Sequence, residues 1–208
     1  MEPRGVQKRT SPLTDSVCHP YSNQTLDGKP IQFREDNKAM EDKNNPQLLN
    51  QLFLAMIRHD DGDPKRIQHF TKVHSYARLI GEMENLDPDT LYTLEAAAYV
   101  HDIGIREAER KYGYQNGKLQ EQEGPAVAGR MMEELGFAPE VTDRVKYLVG
   151  HHHTYNNIDA PDYQILVEAD FLVNLFEDGE SKEVAANVRE NIFRTESGKT
   201  VLNTMFGL

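Results

Sequence analysis

The chain has 208 residues, 38% of them hydrophobic and 27% charged, which suits one soluble domain with a sizeable core plus extensions. No apolar run approaches the roughly 20 residues that a membrane-spanning helix needs. The first residues, MEPRGVQKRTSPLTDS, lack the apolar middle of a secretion signal, and the single cysteine, Cys18, permits no internal disulfide. A cytoplasmic location without membrane association is the expectation. The net charge of −11 falls entirely on residues 45–208. Such a domain repels a phosphate backbone, which argues against a nucleic-acid polymer as partner. A small anionic substrate stays compatible with it if a metal or a local Arg/Lys cluster reverses the sign at the site. The sequence leaves the oligomeric state open, and a homo-oligomer is compatible with it.

Residues 1–44 are rich in Pro, Ser, Thr, Asn and charge, without helical or strand period. A polar, poorly ordered extension is expected there. The alternative is an arm packing through Tyr21, Leu26, Ile31 and Phe33. From residue 45 the pattern is helix after helix. Asn45-Pro46, Asp63-Pro64 and Asp87-Pro88 each pair a capping side chain with proline at the first helical position. Apolar residues then recur at helical spacing, as in Leu48, Leu49, Leu52, Phe53 and Met56, and again in Ile67, Phe70, Val73, Ala77 and Ile80. Further helices are predicted at 105–112, 119–135, 139–152, 162–177 and 181–194, with a last turn or short helix around Leu202, Met205 and Phe206. The fold class is therefore all-α, with about seven or eight helices over residues 45–208.

The informative residues break the apolar faces. His69 sits among Ile67, Phe70 and Val73. Asp170 sits among Leu166, Val167 and Val173. His101-Asp102 closes the largely apolar stretch AAAYV, and Gly104 follows, where a sharp backbone turn is expected. An ionised carboxylate on such a face is costly without a partner. A divalent metal is the simple common explanation for two His and two Asp on three helices. Imidazole and carboxylate suit Mn, Fe, Co, Ni, Zn or Mg. An octahedral ion with four protein ligands keeps two positions for water or substrate oxygen.

RIQHFTKV, AAAYVHDIGI and VEADFLVNL stand in an order that resembles the HD-domain superfamily of metal-dependent phosphohydrolases, most clearly over residues 47–178. EGPAVAGRMMEELGF is similar to that family's glycine-alanine-rich helix. The resemblance implies an all-α helical bundle and hydrolysis of a phosphate monoester or diester of a small molecule, often a nucleotide. It implies His69, His101, Asp102 and Asp170 as metal ligands. It also implies His101 and Asp102 as the catalytic pair, the carboxylate orienting or deprotonating the attacking water. One ion is the expectation and two are compatible.

Three departures stand out. Ile105 follows HDIG where the cyclic-dinucleotide phosphodiesterase branch has lysine, and no GYP triplet is present. The same Ile105 stands where the deoxynucleoside-monophosphatase branch has a glutamate. The two-metal members have a histidine before the glycine-rich helix, where this chain has KLQEQEGPA, so Glu121 or Glu123 is the candidate replacement.

In LVGHHHTYNN three successive histidines cannot share one helical direction, since neighbours lie about 100° apart. His151 and His152 are the candidates for a second ion or a substrate phosphate, and His153, furthest into the loop, is the weakest. Arg66, Lys72, Arg106 and Lys118 are the candidate phosphate donors. Tyr112, Tyr114 and Tyr155 are candidates for a base-binding wall. The competing readings are a di-iron oxygenase and a non-catalytic module that binds a metal or nucleotide.

Overall fold

The computed structural model describes residues 25–26, 29–30 and 44–208. Most of the N-terminal extension, including the arm expected at Tyr21, Ile31 and Phe33, lies outside the described residues. Within it, Thr25–Leu26 pairs antiparallel with Lys29–Pro30. From Pro46 onward nine helices follow: α1 (Pro46–His59), α2 (Pro64–Met83), α3 (Pro88–Val100), α4 (Gly104–Tyr112), α5 (Gly117–Leu135), α6 (Pro139–Val149), α7 (Pro161–Glu177), α8 (Lys182–Asn191) and α9 (Glu196–Phe206). No helix among the described residues is long and apolar enough to cross a membrane.

The first three helices start as their sequences dictate. The Asn45 side chain accepts from the Gln47 amide at 3.0 Å, Asp63 from Arg66 at 3.1 Å, and Asp87 from Asp89 and Thr90 at 3.1 and 3.0 Å. Each cap satisfies amides that the first turn leaves without partners, and the proline beside it has no amide to satisfy. Helix α2 packs between α3 and α7, while α5 packs against α4 and α6. Leu52, Met56, Val73, Ile80, Leu94, Leu148, Ile165, Leu166 and Leu172 join one core at 0–1% exposure. Burial of each of these side chains contributes about 1.5–3 kcal/mol.

The last turn or short helix expected around residues 202–206 is the end of a full helix, α9, which brings the count to nine. Thr195 caps α9, its hydroxyl accepting from the Gly198 amide at 2.9 Å. The fully buried carboxylate of Glu168 on α7 then accepts from the Arg194 and Thr195 amides at 2.6 and 2.9 Å, and from the Thr195 hydroxyl. A carboxylate so satisfied tolerates burial.

Gly104 has a different use from the one expected. Its φ is not positive, so it makes no left-handed turn. It is the first residue of α4, and a Cβ there would lie 2.5 Å from the Gln120 carbonyl oxygen and 2.8 Å from the Gly124 nitrogen. Gly124 is as constrained, since a Cβ on it would meet Val149 Cγ1 at 2.6 Å. The two glycines let α4 and α5 approach backbone to backbone, with the end of α6 behind them. That contact fixes where the residues just before Gly104 point.

Candidate metal centre

His101 caps the C-terminus of α3 and is fully buried. Its Nδ1 lies 3.0 Å from the Ala98 carbonyl. A carbonyl can only accept, so Nδ1 carries the hydrogen and Nε2 points the other way. His152, in the turn after α6 and 1% exposed, repeats this through the Val149 carbonyl at 2.9 Å. His69, on α2, sets its Nδ1 against Glu177 Oε2 at 3.2 Å. All three rings therefore aim Nε2 at the same small region.

Two carboxylates meet them. Asp170 Oδ1 lies 3.2 Å from His69 Nε2 and 3.5 Å from His101 Nε2. Asp102 Oδ2 lies 3.5 and 3.6 Å from the same two nitrogens, and its Oδ1 lies 3.4 Å from His152 Nε2. The His69 and His101 Nε2 atoms are themselves 3.2 Å apart. Ligand atoms of His69, His101 and Asp102 lie within 4.8 Å of one another, and so do those of Asp102, His152 and His153. Asp102 is common to both groups.

The donor chemistry fits a divalent ion. Imidazole nitrogen and carboxylate oxygen donors without thiolate suit Mn, Fe, Co, Ni, Zn or Mg. The Nε2 of His152 is buried and, although close to Asp102, is too poorly aligned to hydrogen-bond it. A buried nitrogen left in this way is costly, and a cation beside Asp102 would use its lone pair. In the metal-free protein, protons take the cation's electrostatic place. Burial alone would lower the His101 imidazole, but Asp102 and Asp170 outweigh it and hold it at about 9. Burial opposes the His69 shift too, and Asp170 and Asp102 raise it. Burial would raise both carboxyl groups. The histidines instead hold Asp102 and Asp170 well below the usual carboxylate range.

A pH dependence follows. The imidazolium proton of His101 must leave before its nitrogen can bind a metal, and in the metal-free protein it leaves only as pH rises through about 9. Metal affinity therefore rises with pH from neutrality up to about 9, by roughly tenfold per unit for each proton displaced. His69, raised by the same carboxylates, steepens the dependence in the same direction. Mn²⁺ titration calorimetry across this window checks it, and a flat profile contradicts it.

His69, Asp102 and Asp170 of the cluster form the floor of a cavity of about 340 Å³, with His101 and His152 buried behind them, and its wall includes Arg66, Gln115, Gln120, His153, Asn174 and Glu177. Other expected site residues are placed elsewhere. The His151 ring stacks on Tyr147 at 4.2 Å, and its Nδ1 bonds the Tyr147 carbonyl. His153, expected to be the weakest of the three, faces the cavity. Burial and the neighbouring His152 push it down to about 4, so its neutral Nε2–H donates to Gln120 Oε1 at 2.5 Å. Glu121 accepts from the His153 amide and the Thr154 hydroxyl, each at 3.0 Å. Glu123 is held by Lys111, Tyr112 and Gln122. Both glutamates are thus engaged by neighbouring donors.

Of the basic candidates, Arg66 lines the cavity, where it pairs with Glu109 at 2.6 Å and Asp63 at 3.2 Å. Lys72 pairs with Glu177 at 2.5 Å. Arg106 ties α4 to the α1–α2 turn through Asp60 Oδ1 and the Asp61 carbonyl. Lys118 is exposed in the first turn of α5. Glu107, two residues after Ile105, is held by Arg110 and Lys111. None of Tyr112, Tyr114 and Tyr155 lines the cavity.

Asn174 and Glu177 were not anticipated. Both share the Asp170 face of α7, four and seven residues on. Asn174 Nδ2 donates to Asp170 Oδ1 at 2.9 Å. Helical spacing from Asp170 was the signal that could have found them.

The fold is similar to that of a crystal structure of a predicted HD superfamily hydrolase from an uncultured Thermotogales bacterium. The TM-score is 0.53 at 24% sequence identity, covering 78% of this chain and 84% of that one. No curated protein matches the sequence. The HD domain family model matches residues 66–192. Because that match spans more than half of the chain and includes every side chain that converges on the cavity floor, the chain belongs to the HD-domain family.

Proposed function

We propose that the protein is a metal-dependent phosphohydrolase that cleaves a phosphate ester of a small molecule, nucleotides being the first class to test. HD-family membership supports a metal-dependent hydrolase. The observation that carries the finer reading is the convergence of three Nε2 atoms and two carboxylates beside one cavity, which His69, Asp102 and Asp170 line. His69, His101, Asp102 and Asp170 would hold the ion, and His152 faces the second oxygen of Asp102. A divalent ion in such a site supplies Lewis acidity toward a phosphoryl oxygen and acidifies bound water.

The chain's own groups divide the remaining tasks. Asp102 is held so far below the usual carboxylate range that it accepts a hydrogen bond and orients water better than it retains a proton. A base that keeps the proton works best near the operating pH. Arg66 is the cation on the wall, and its planar guanidinium suits a phosphate once a substrate competes with Glu109. The cavity lies within the size range of small-molecule sites.

One observation favours a second reading: Asp102 is shared by two ligand groups, as a di-iron oxygenase would need. Against it, Glu121 and Glu123 are engaged elsewhere, so hydrolysis is the better supported reaction. A panel of phosphate mono- and diesters with Mn, Co, Ni, Fe, Zn and Mg is the test, with oxygen uptake followed in parallel. The expected outcome is metal-dependent ester cleavage without oxygen consumption. Metal binding with no turnover of any ester would contradict it and leave a binding module.

A further inference from the structure

The three histidines of the cluster are not held alike. His101 and His152 give Nδ1–H to main-chain carbonyls, which are fixed and neutral. His69 faces a carboxylate instead. Glu177 Oε2 lies 3.2 Å from His69 Nδ1, and the other oxygen, Oε1, takes a hydrogen bond from Lys72 at 2.5 Å. The Glu177 side chain is only 12% exposed, and Lys72 also lies 5.6 Å above the Phe176 ring. Lys72 is one turn from His69 on α2, so the same helix carries the ligand and the cation that anchors its partner.

We infer that Glu177 is a positioning residue that fixes the Nδ1–H form of His69 and so presents Nε2 to the ion, with Lys72 holding the carboxylate in place. This rests on the metal-site reading above. A carboxylate behind a ligating imidazole restricts the ring and makes it a better donor, and losing such a partner weakens metal affinity by about 10–100-fold. No backbone carbonyl replaces Glu177: Nδ1 of His69 has no other partner among the described hydrogen bonds. Glu177 therefore acts on the ion through His69, with both of its oxygens engaged, one by His69 and the other by Lys72.

Calorimetric titration of the full chain with Mn²⁺ alone tests this, with melting of the metal-free protein measured beside it. Glu177→Ala is expected to weaken Mn²⁺ binding by about 10–100-fold. Glu177→Gln, whose amide oxygen still accepts from Nδ1–H, is expected to recover most of that loss. Lys72→Met, which keeps the carboxylate but frees it, should fall between wild type and Glu177→Ala. Equal affinity in wild type and Glu177→Ala overturns the inference, as does a Glu177→Gln no better than Glu177→Ala. A wild type that binds no Mn²⁺ overturns the metal-site reading instead. A Glu177→Ala that melts before titration passes the decision to the Gln and Met variants, whose ranking alone confirms or refutes the role.

Discussion

Replacing Asp102 with asparagine is expected to lower kcat/KM for the cleaved ester by roughly 10³-fold or more. The magnitude follows from the several kcal/mol that a bound ion contributes to transition-state charge stabilisation, converted at about 1.36 kcal/mol per tenfold. Asp102 is the side chain whose loss should matter most. One oxygen faces His69 and His101, and the other faces His152, so its charge serves both ligand groups. Asparagine keeps the volume and removes the charge, which separates electrostatics from packing. The side chain is 25% exposed, so the metal-free variant is expected to stay folded. Steady-state kinetics at saturating metal, with Mn²⁺ affinity measured beside them, check the prediction. Retention of a tenth or more of wild-type kcat/KM would contradict it.

The second large effect is on the fold. Gly104→Ala is expected to destabilise the protein by about 3 kcal/mol, at the upper end for overpacking, and to lower Tm by roughly 6–12 °C. The methyl group would meet three backbone atoms: the Gln120 oxygen at 2.5 Å, the Gly124 nitrogen at 2.8 Å and the Gly124 Cα at 3.0 Å. Backbone cannot rotate aside as a side chain can, so α4 must separate from α5. Gly62→Ala is the contrast. Its φ is +80° with nothing within 4 Å of the added Cβ, so only left-handed strain applies, about 1–2 kcal/mol. Thermal melts of both variants give the comparison. If the two variants melt alike, the close approach of α4 and α5 is not what Gly104 serves. Because Gly104 directly follows the His101-Asp102 turn, its alanine variant should also bind Mn²⁺ more weakly, whereas Gly62→Ala should not.

How far the sequence foretells this arrangement depends on the kind of interaction. The Asn45, Asp63 and Asp87 caps are local, involving residues two or three positions apart, and were legible as such. His69, Asp102 and Asp170 stood out because a charge on an apolar helix face demands a partner. Gly104 did not reveal its purpose. Nothing near it in sequence shows that Gln120 and Gly124 press against it, and a glycine after a helix reads naturally as a turn. The His151–His153 run was ambiguous for a related reason. Which ring enters the cavity is set by the path of the turn, and Tyr163, ten or more residues on, ties that path through the His151 and Thr154 carbonyls. Glu177 was hidden at the end of α7 in FEDGE, which reads as a solvated helix terminus. Its partners, His69 and Lys72, lie more than a hundred positions earlier. Glu121 and Glu123 drew interest as carboxylates near a site, but local hydroxyl, amide and lysine donors had already claimed them.

The central claim is that one divalent ion rests among His69, His101, Asp102 and Asp170. Anomalous diffraction from crystals of the Mn²⁺-loaded full chain tests it most directly. The account predicts a peak about 2.0–2.3 Å from Nε2 of both histidines and from an oxygen of both carboxylates, by analogy with first-row metal–ligand distances. A second peak beside His152 would extend the account. Saturating Mn²⁺ with no peak within bonding distance of the His101-Asp102 pair would contradict it.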